Sequence, residues 1–241
     1  MTRPLAPAAE RRLGQLVEEY ALSPAAGASL GRVLALQGSD PTASTTIRDP
    51  VDAVDRHVAD ALVALRLDAV RSARRIADLG SGAGWPGLAL AAALPDAEVA
   101  LVESAARRCR YLERAIDASQ LSNVSVVHAR AEDWPAGLSA HDLVTARALA
   151  ALAVVCEYAA PLLEVGGAVV AWKTTLSPVE AADASAAASV LSLQSAAVLP
   201  VEPFPGARDH VLHVLRKVAP TPDRFPRRPG MASKRPLSAA S

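Results

Sequence analysis

The spacing of apolar residues divides the chain into a helical first part and a second part in which short apolar runs alternate with helical patterns. In the first part, apolar side chains recur three and four residues apart, as on one face of a helix. This pattern predicts helices over residues 9–20, 24–36 and 51–66. We therefore expect an N-terminal helical appendage over residues 1–70.

From residue 76 onward the pattern is typical of βαβ units and a mostly parallel sheet. Strands are predicted at residues 76–79, 98–102, 124–128, 142–146, 167–172, 190–199 and 210–217. Helices are predicted between them at residues 86–94, 104–119, 149–163 and 178–188. The connection between the last two strands is too short for a helix, so these strands should form an antiparallel hairpin. The result is an α/β domain over residues 71–219 with a seven-stranded mixed sheet.

Composition and charge narrow the class of protein. Hydrophobic residues make up 51% of the 241 residues and aromatic residues only 3%, so the core should consist mainly of Ala, Val and Leu. The 25 basic and 25 acidic side chains cancel, so any nucleic-acid binding must rest on local charge. Cys109 and Cys156 lack metal-ligand spacing and suit a reducing compartment. With no continuous apolar segment for export or membrane insertion, we expect a cytoplasmic protein. We also expect a monomer that holds no metal.

The C-terminal tail, residues 220–241, is rich in proline and positive charge. Only Asp223 opposes its five cations, which are Arg224, Arg227, Arg228, Lys234 and Arg235. Such a segment is expected to be extended and to have no core of its own. It would suit the phosphate backbone of RNA.

A glycine-rich loop follows the first predicted strand, in residues 76–87, which read IADLGSGAGWPG. Glycines allow positive φ and let a ligand approach the backbone, and a helix can begin at Pro86. The last six residues match G-x-G-x-x-G, and Glu103 lies about twenty residues on, as in a dinucleotide site. However, Asp78 at the strand end would repel the phosphates of a dinucleotide, whereas it can accept hydrogen bonds from the cationic amino-acid portion of S-adenosylmethionine. The sequence therefore favours this sulfonium cofactor.

Other candidate site residues follow the later strands. Glu103 is the residue after the second predicted strand. Its carboxylate could accept hydrogen bonds from both hydroxyl groups of the cofactor's ribose. Alternatively, it could only stabilise the N-terminus of the next helix through the helix dipole. Residues 130–134 follow the third strand and should lie beside the adenine. Arg147 follows the fourth strand on the switch-point side of the sheet and is the candidate catalytic residue. His57 and Asp60, one helical turn apart, are consistent with a surface pair.

Two absences bear on the methyl acceptor. Residues 145–148, TARA, differ from the Asn/Asp-Pro-Pro-aromatic turn that accepts a proton from an exocyclic amine. Neither cysteine follows a predicted strand, where a nucleophile for a pyrimidine carbon would be expected. A ring nitrogen with a free lone pair, such as guanine N7, needs neither group.

Taken in order, several motifs resemble those of the small-subunit ribosomal RNA guanine-N7 methyltransferases, also called glucose-inhibited division protein B. They are Thr46-Ile47-Arg48-Asp49-Pro50, Arg56-His57 with Asp60, residues 78–87, Thr145-Ala146-Arg147-Ala148 and Trp172-Lys173. The tail also resembles the basic ending of many Gram-positive members. The chain departs from the family at Ser44-Thr45-Thr46, where members commonly have Asn-Leu-Thr, and at Trp85, which replaces a smaller apolar residue.

The resemblance implies a Rossmann-like class I fold, S-adenosylmethionine as donor and 16S ribosomal RNA of the small subunit as partner. By motif position it implies cofactor contacts at Gly80, Trp85, Ala131, Glu132 and Arg147. The glycine loop, including Gly82, and Glu103 are added from the position of the loop and the strand. Three alternatives stay open, namely a methyltransferase for another RNA or a small molecule, an NAD-dependent oxidoreductase and a non-catalytic RNA-binding module.

Overall fold

A seven-stranded sheet forms the centre of the molecule, which a computed structural model describes for residues 4–47 and 49–239. The strands are β1 (Arg75–Leu79), β2 (Glu98–Glu103), β3 (Val124–His128), β4 (His141–Arg147), β5 (Leu163–Lys173), β6 (Leu193–Val201) and β7 (His210–Lys217). Their order across the sheet is β3-β2-β1-β4-β5-β7-β6. The first five strands pair in parallel, and β7 runs antiparallel to β5 and β6. The predicted mixed sheet and its final hairpin are confirmed.

Helices flank the sheet on both faces. They are α1 (Pro7–Glu19), α2 (Pro24–Ser39), α3 (Pro50–Ala53), α4 (Asp60–Leu62), α5 (Asp68–Arg71), α6 (Gly87–Ala93), α7 (Ala106–Ser119), α8 (Leu152–Ala159), α9 (Pro178–Val190) and α10 (Met231–Lys234). A π-helical segment, Val54–Ala59, joins α3 to α4, and a 3₁₀ turn, Val63–Arg66, follows. The single helix expected over residues 51–66 is therefore a continuous helical stretch whose geometry changes along its length. Such π-helical turns are frequent at functional sites.

The core is divided between the two faces of the sheet because side chains alternate along each strand. Ile76 of β1 packs on one face with Leu16, Leu30 and other residues of the N-terminal helices. Its neighbour Ala77 packs on the other face with residues of α8 and α9. The N-terminal helices therefore share a hydrophobic core with the sheet.

The tail differs from the extended segment that the sequence predicts. It contains α10 and packs against the body through Phe225, which is buried in the cluster formed by α8 and α9. Arg48, part of one sequence motif, lies outside the described residues. Within the described part of the chain, no helix has the length and apolar character needed to cross a membrane.

Candidate functional site

A cavity of about 220 Å³ opens at the carboxyl edge of β1, β2 and β3. In open α/β sheets, ligands collect at this edge, next to the point where the strand order reverses. Here the order reverses between β1 and β4. The lining residues are Leu79, Gly80, Val102, Glu103, Ser104, Arg108, Ala129, Arg130, Ala131, Glu132, Ala148, Leu149 and Tyr158. Four predicted site residues therefore meet in one cavity.

Gly80 shapes the floor of this cavity. Its φ is +66°, and a Cβ atom added there would lie 2.6 Å from Cδ1 of Leu149. Its amide donates a hydrogen bond to the carbonyl of Val102 at 2.9 Å, which ties the loop to β2. Any side chain at this position would both strain the turn and collide with the cavity wall.

Glu103 is held rigidly at the end of β2, with a relative exposure of 3%. Its Oε2 accepts a hydrogen bond from the amide of Gly82 at 3.2 Å, and its Oε1 accepts one from the amide of Ala105 at 2.9 Å. Arg108 lies 3.5 Å from Oε2. Each carboxylate oxygen can accept more than one hydrogen bond. The carboxylate can therefore remain bound to the loop while it accepts hydroxyl groups of a ligand.

Asp78 lies beneath the glycine loop and outside the cavity lining. Its side chain is fully buried; Oδ1 accepts a hydrogen bond from the hydroxyl of Thr145 at 2.9 Å and Oδ2 one from the amide of Gly87 at 3.3 Å. Burial raises the pKa of this carboxyl to about 6. The expected contact with the amino-acid part of a cofactor does not match this position, because the carboxylate has no exposed surface and lies outside the cavity lining.

Ala131 and Glu132 lie in a 3₁₀ turn, Ala131–Asp133, at the side of the cavity. Oε1 of Glu132 accepts a hydrogen bond from the amide of Gly230 at 2.7 Å. The C-terminal tail therefore reaches the cavity, which the sequence did not predict. Gly230 has no local sequence signal for this contact, since it lies about a hundred residues from its partner.

Arg147 is the last residue of β4, and its guanidinium is bound by the π-helical segment and α4. Nη1 donates to Oδ2 of Asp60 at 2.7 Å and to the carbonyl of Arg56 at 3.0 Å. Nη2 lies 3.4 Å from Nδ1 of His57. Its chain neighbour Ala148 lines the cavity, so Arg147 stands at the cavity's edge next to the N-terminal helices.

His57 is neutral in this arrangement. Because a guanidinium can only donate, Nδ1 of His57 must accept, and the proton resides on Nε2, which lies 3.1 Å from Oγ1 of Thr45. Burial and then the charge of Arg147 lower the pKa of His57 to about 3. The imidazole also stacks on the indole of Trp85, with ring centroids 5.8 Å apart.

The side chain of Trp85 extends from the glycine loop towards the N-terminal helices. It is buried, and its Nε1 donates to Oε1 of Gln37 in α2 at 2.8 Å. Neither Trp85 nor Gly82 is among the residues that line the cavity. The loop thus separates two groups of predicted residues, with Gly80, Glu103, Ala131 and Glu132 in the cavity and Trp85 and Arg147 against His57.

Asp60 connects Arg147 to the other half of the sheet. Its Oδ1 lies 3.0 Å from Nδ1 of His210 at the start of β7, and its carbonyl accepts a hydrogen bond from Nε1 of Trp172 at 2.7 Å. Asp60 and His57 are both buried, so the surface pair expected from their spacing is wrong. No local pattern in the sequence indicated His210, because only the antiparallel return of β7 brings it to this edge.

Two cavities, of about 530 and 540 Å³, lie among residues of α1, α2, α3 and the segments before α1 and α3, and a third, of about 270 Å³, lies at the amino edge of β1, β2 and β3. The linings of the first two are mainly apolar, and Gln37 of the 530 Å³ cavity accepts the hydrogen bond from Trp85 of the glycine loop. In the part of the chain that the structure describes, no cluster of three or more His, Cys, Asp or Glu side chains could hold a metal ion. The predicted site residues Gly80, Glu103, Ala131 and Glu132 line only the cavity at the carboxyl edge among these four cavities.

The model of a protein family described as rRNA small subunit methyltransferase G matches residues 34–204. The ribosomal RNA small subunit methyltransferase G of Rubrobacter xylanophilus is 38% identical over 235 residues, which cover 95% of this chain and 85% of the relative. The protein of the same name from Chloroflexus aggregans is 39% identical over 196 residues, which cover 80% and 82%. The chain belongs to this family.

Solved structures of other methyltransferases have a fold similar to that of this chain. A methyltransferase from Aquifex aeolicus described as SAM-dependent has a TM-score of 0.55 at 10% identity, over 69% of this chain and 93% of that one. A 16S rRNA (adenine(1408)-N(1))-methyltransferase mutant from Catenulisporales acidiphilia has a TM-score of 0.51 at 21% identity, over 64% and 90%. The predicted class I methyltransferase fold and family resemblance are confirmed, and the oxidoreductase alternative is excluded.

Proposed function

We propose that this protein transfers a methyl group from S-adenosylmethionine to N7 of a guanine in 16S ribosomal RNA of the small subunit. The observation that carries the proposal is the cavity in which Gly80 and the buried carboxylate of Glu103 meet beside Arg147. Membership of a ribosomal RNA methyltransferase family supports the choice of substrate. We further propose that the protein acts as a monomer in the cytoplasm, where ribosomal subunits are assembled.

The residues around the cavity fit the cofactor. Gly80 leaves room along the backbone, and Glu103 offers fixed oxygen atoms for the two ribose hydroxyls. Ala131 and Glu132 would face the adenine, with a backbone amide and a carboxylate available to its polar edge. When bound, S-adenosylmethionine supplies an electrophilic methyl group on a positively charged sulfur.

Guanine N7 can react without a base from the protein. Its lone pair forms the new bond to the methyl carbon as the carbon–sulfur bond breaks, and the electrons of that bond stay on the departing thioether. No proton is lost, so the protein's part is to hold the nucleophile in line with the methyl group. Such positioning can supply roughly 7–11 kcal/mol of the barrier. Arg147, which Asp60 and His57 hold beside the cavity, would help to define this geometry.

The direct experiment is methylation of purified small subunits and of naked 16S ribosomal RNA with methyl-labelled S-adenosylmethionine. We expect label at one guanine, located by chain cleavage after borohydride reduction, which is specific for N7-methylguanine. Label on another base, or turnover only with small molecules, would contradict the proposal. Sedimentation velocity of the purified protein tests the monomer.

Asp60→Asn tests the role of the Arg147 cluster without removing Arg147 itself. The change takes away the charge that fixes the guanidinium, so we expect kcat/KM for ribosomal RNA to fall at least tenfold, about 1.4 kcal/mol of transition-state stabilisation. The matched control is Asp55→Asn, which breaks the ion pair of Asp55 with Arg12 in α1. Equal rates for the two variants would remove Asp60 and its partner from the site.

A further inference from the structure

The C-terminal tail is anchored to α8 by a buried ion pair. Nε and Nη2 of Arg227 donate to Oε1 and Oε2 of Glu157, both at 2.5 Å, and Glu157 has an exposure of only 3%. Nη2 of Arg227 also donates to the carbonyl of Arg235 at 2.9 Å, which closes the tail on itself. A planar guanidinium that binds both oxygens of a carboxylate fixes direction as well as distance. The tail is therefore held in one place.

This anchor places the tail against two residues of the cavity wall. The amide of Gly230 donates to Oε1 of Glu132 at 2.7 Å, and Oγ of Ser233 lies 2.9 Å from the hydroxyl of Tyr158. Glu132 and Tyr158 both line the cavity at the carboxyl edge of the sheet. Burial of Phe225 and Ala232 adds apolar contacts on either side of the anchor.

The contact with Gly230 restricts the side chain of Glu132. A glutamate in a short 3₁₀ turn can rotate about three bonds, and fixing it when a ligand binds would cost side-chain entropy. A hydrogen bond from an amide to a carboxylate is strong enough to select one orientation in advance. With Oε1 engaged, Oε2 is left to accept a hydrogen bond from a second donor.

We propose that Arg227 and the amide of Gly230 are positioning groups that orient Glu132 to accept the amino group of the cofactor's adenine. The tail is then part of the cofactor site, in addition to any contact with RNA. This inference rests on the proposed function, because it takes the cavity to be the site of S-adenosylmethionine. It assigns to Arg227, one of the five tail cations, a role in positioning a residue of the cofactor site.

The test compares Arg227→Met with Arg228→Met, which removes the same charge from the exposed neighbouring position. Calorimetry measures the binding of S-adenosylhomocysteine and of its purine analogue, in which a hydrogen atom replaces the adenine amine. We expect the native protein and Arg228→Met to prefer S-adenosylhomocysteine by about tenfold. Arg227→Met should bind it about tenfold more weakly and should lose most of the preference. Its KM for S-adenosylmethionine should rise, with kcat at saturation unchanged.

A second variant, Glu157→Gln with Arg227→Met, removes both charges and leaves no buried unpaired carboxylate. We expect it to unfold at nearly the native temperature and still to lack the preference for the amine. The inference would be overturned if the double variant again preferred S-adenosylhomocysteine to the purine analogue. It would also be overturned if Arg227→Met bound both ligands more weakly by the same factor. Native protein that binds both ligands equally would also overturn it, with the proposed function intact. Native protein that binds neither would refute the proposed function itself.

Discussion

Asp78 supports the glycine loop from within the fold. Its two oxygen atoms receive the hydroxyl of Thr145 in β4 and the amide of Gly87 at the start of α6, so one carboxylate joins two strands and a helix. A Cβ atom at Gly87 would lie 2.9 Å from Oδ2 of Asp78, so this approach requires glycine. Burial destabilises the charged form of the Asp78 carboxyl and raises its pKa to about 6.

Asp78→Asn should remove a dependence of stability on pH. Between about pH 4 and pH 6 the folded protein retains a proton on Asp78 that the unfolded chain has lost, so the free energy of unfolding falls as pH rises. The full effect is up to about 3 kcal/mol, and it persists above pH 6. Asn can receive the amide of Gly87 and donate to Thr145, so the variant should fold.

Urea unfolding of both proteins from pH 4.5 to pH 8 measures this effect. The difference between them isolates Asp78, because other groups, including His57, titrate in both proteins. We expect the native protein to lose stability relative to the variant as pH rises through this range. A difference that does not vary with pH would mean that Asp78 titrates normally.

Helix α7 shows how the N-terminal helices support the cofactor side of the sheet. The helix ends at Ser119. The next residue, Gln120, has a φ of +60°, and the last carbonyl groups of the helix need donors. Arg32 of α2 supplies them, with Nε 2.9 Å from the carbonyl of Ala118 and Nη2 2.7 Å from that of Ser119. A cation here also matches the negative end of the helix dipole.

Arg32→Met should lower the free energy of unfolding by about 1–2 kcal/mol, because two charge-assisted hydrogen bonds are lost while most of the apolar stem is kept. Arg11→Met is the control, since Arg11 is exposed on α1. Urea unfolding at neutral pH provides the measurement. If both variants are equally stable, α2 does not cap α7 in solution.

For the whole molecule, the tail combines one structural cation with several exposed ones. Arg227 is bound to Glu157, whereas Arg224, Arg228, Lys234 and Arg235 are exposed. The domain division expected at residues 70 and 219 stays a prediction, and side chains of all three parts share the apolar clusters on the two faces of the sheet. We propose that the exposed tail cations contact phosphate groups of ribosomal RNA.

The double variant Arg228→Gln with Arg235→Gln tests this proposal. Each lost contact with a single-stranded phosphate lowers the slope of log affinity against log salt by about 0.7, so we expect a decrease of roughly 1.4. Arg107→Gln with Arg110→Gln removes the same charge from exposed positions on α7. Filter binding across a range of salt concentrations gives the slopes, and the same slope for both double variants would contradict the proposal.

The sequence by itself determined the order of strands and helices, the final hairpin and the position of the glycine loop. These features depend on local periodicity, turn residues and connection length, and all three can be determined from the sequence. The strand pattern also placed Glu103 and residues 130–134 at one edge of the sheet, because the carboxyl ends of parallel strands meet there. Gly80, Ala131 and Glu132 are named as cofactor contacts from the family resemblance, and that role stays a prediction.

Only the tertiary structure decided which side chains face one another. Asp60, Arg147 and His210 are brought together by three separate elements, and Gly230 reaches Glu132 across about a hundred residues. A buried charge requires a partner or a shifted pKa. Accordingly, the buried Asp78 has a shifted pKa, and the buried Glu157 is paired with Arg227. Contacts of this kind leave no periodic pattern in the sequence. The position of the tail beside the cavity could therefore be seen only in the tertiary structure.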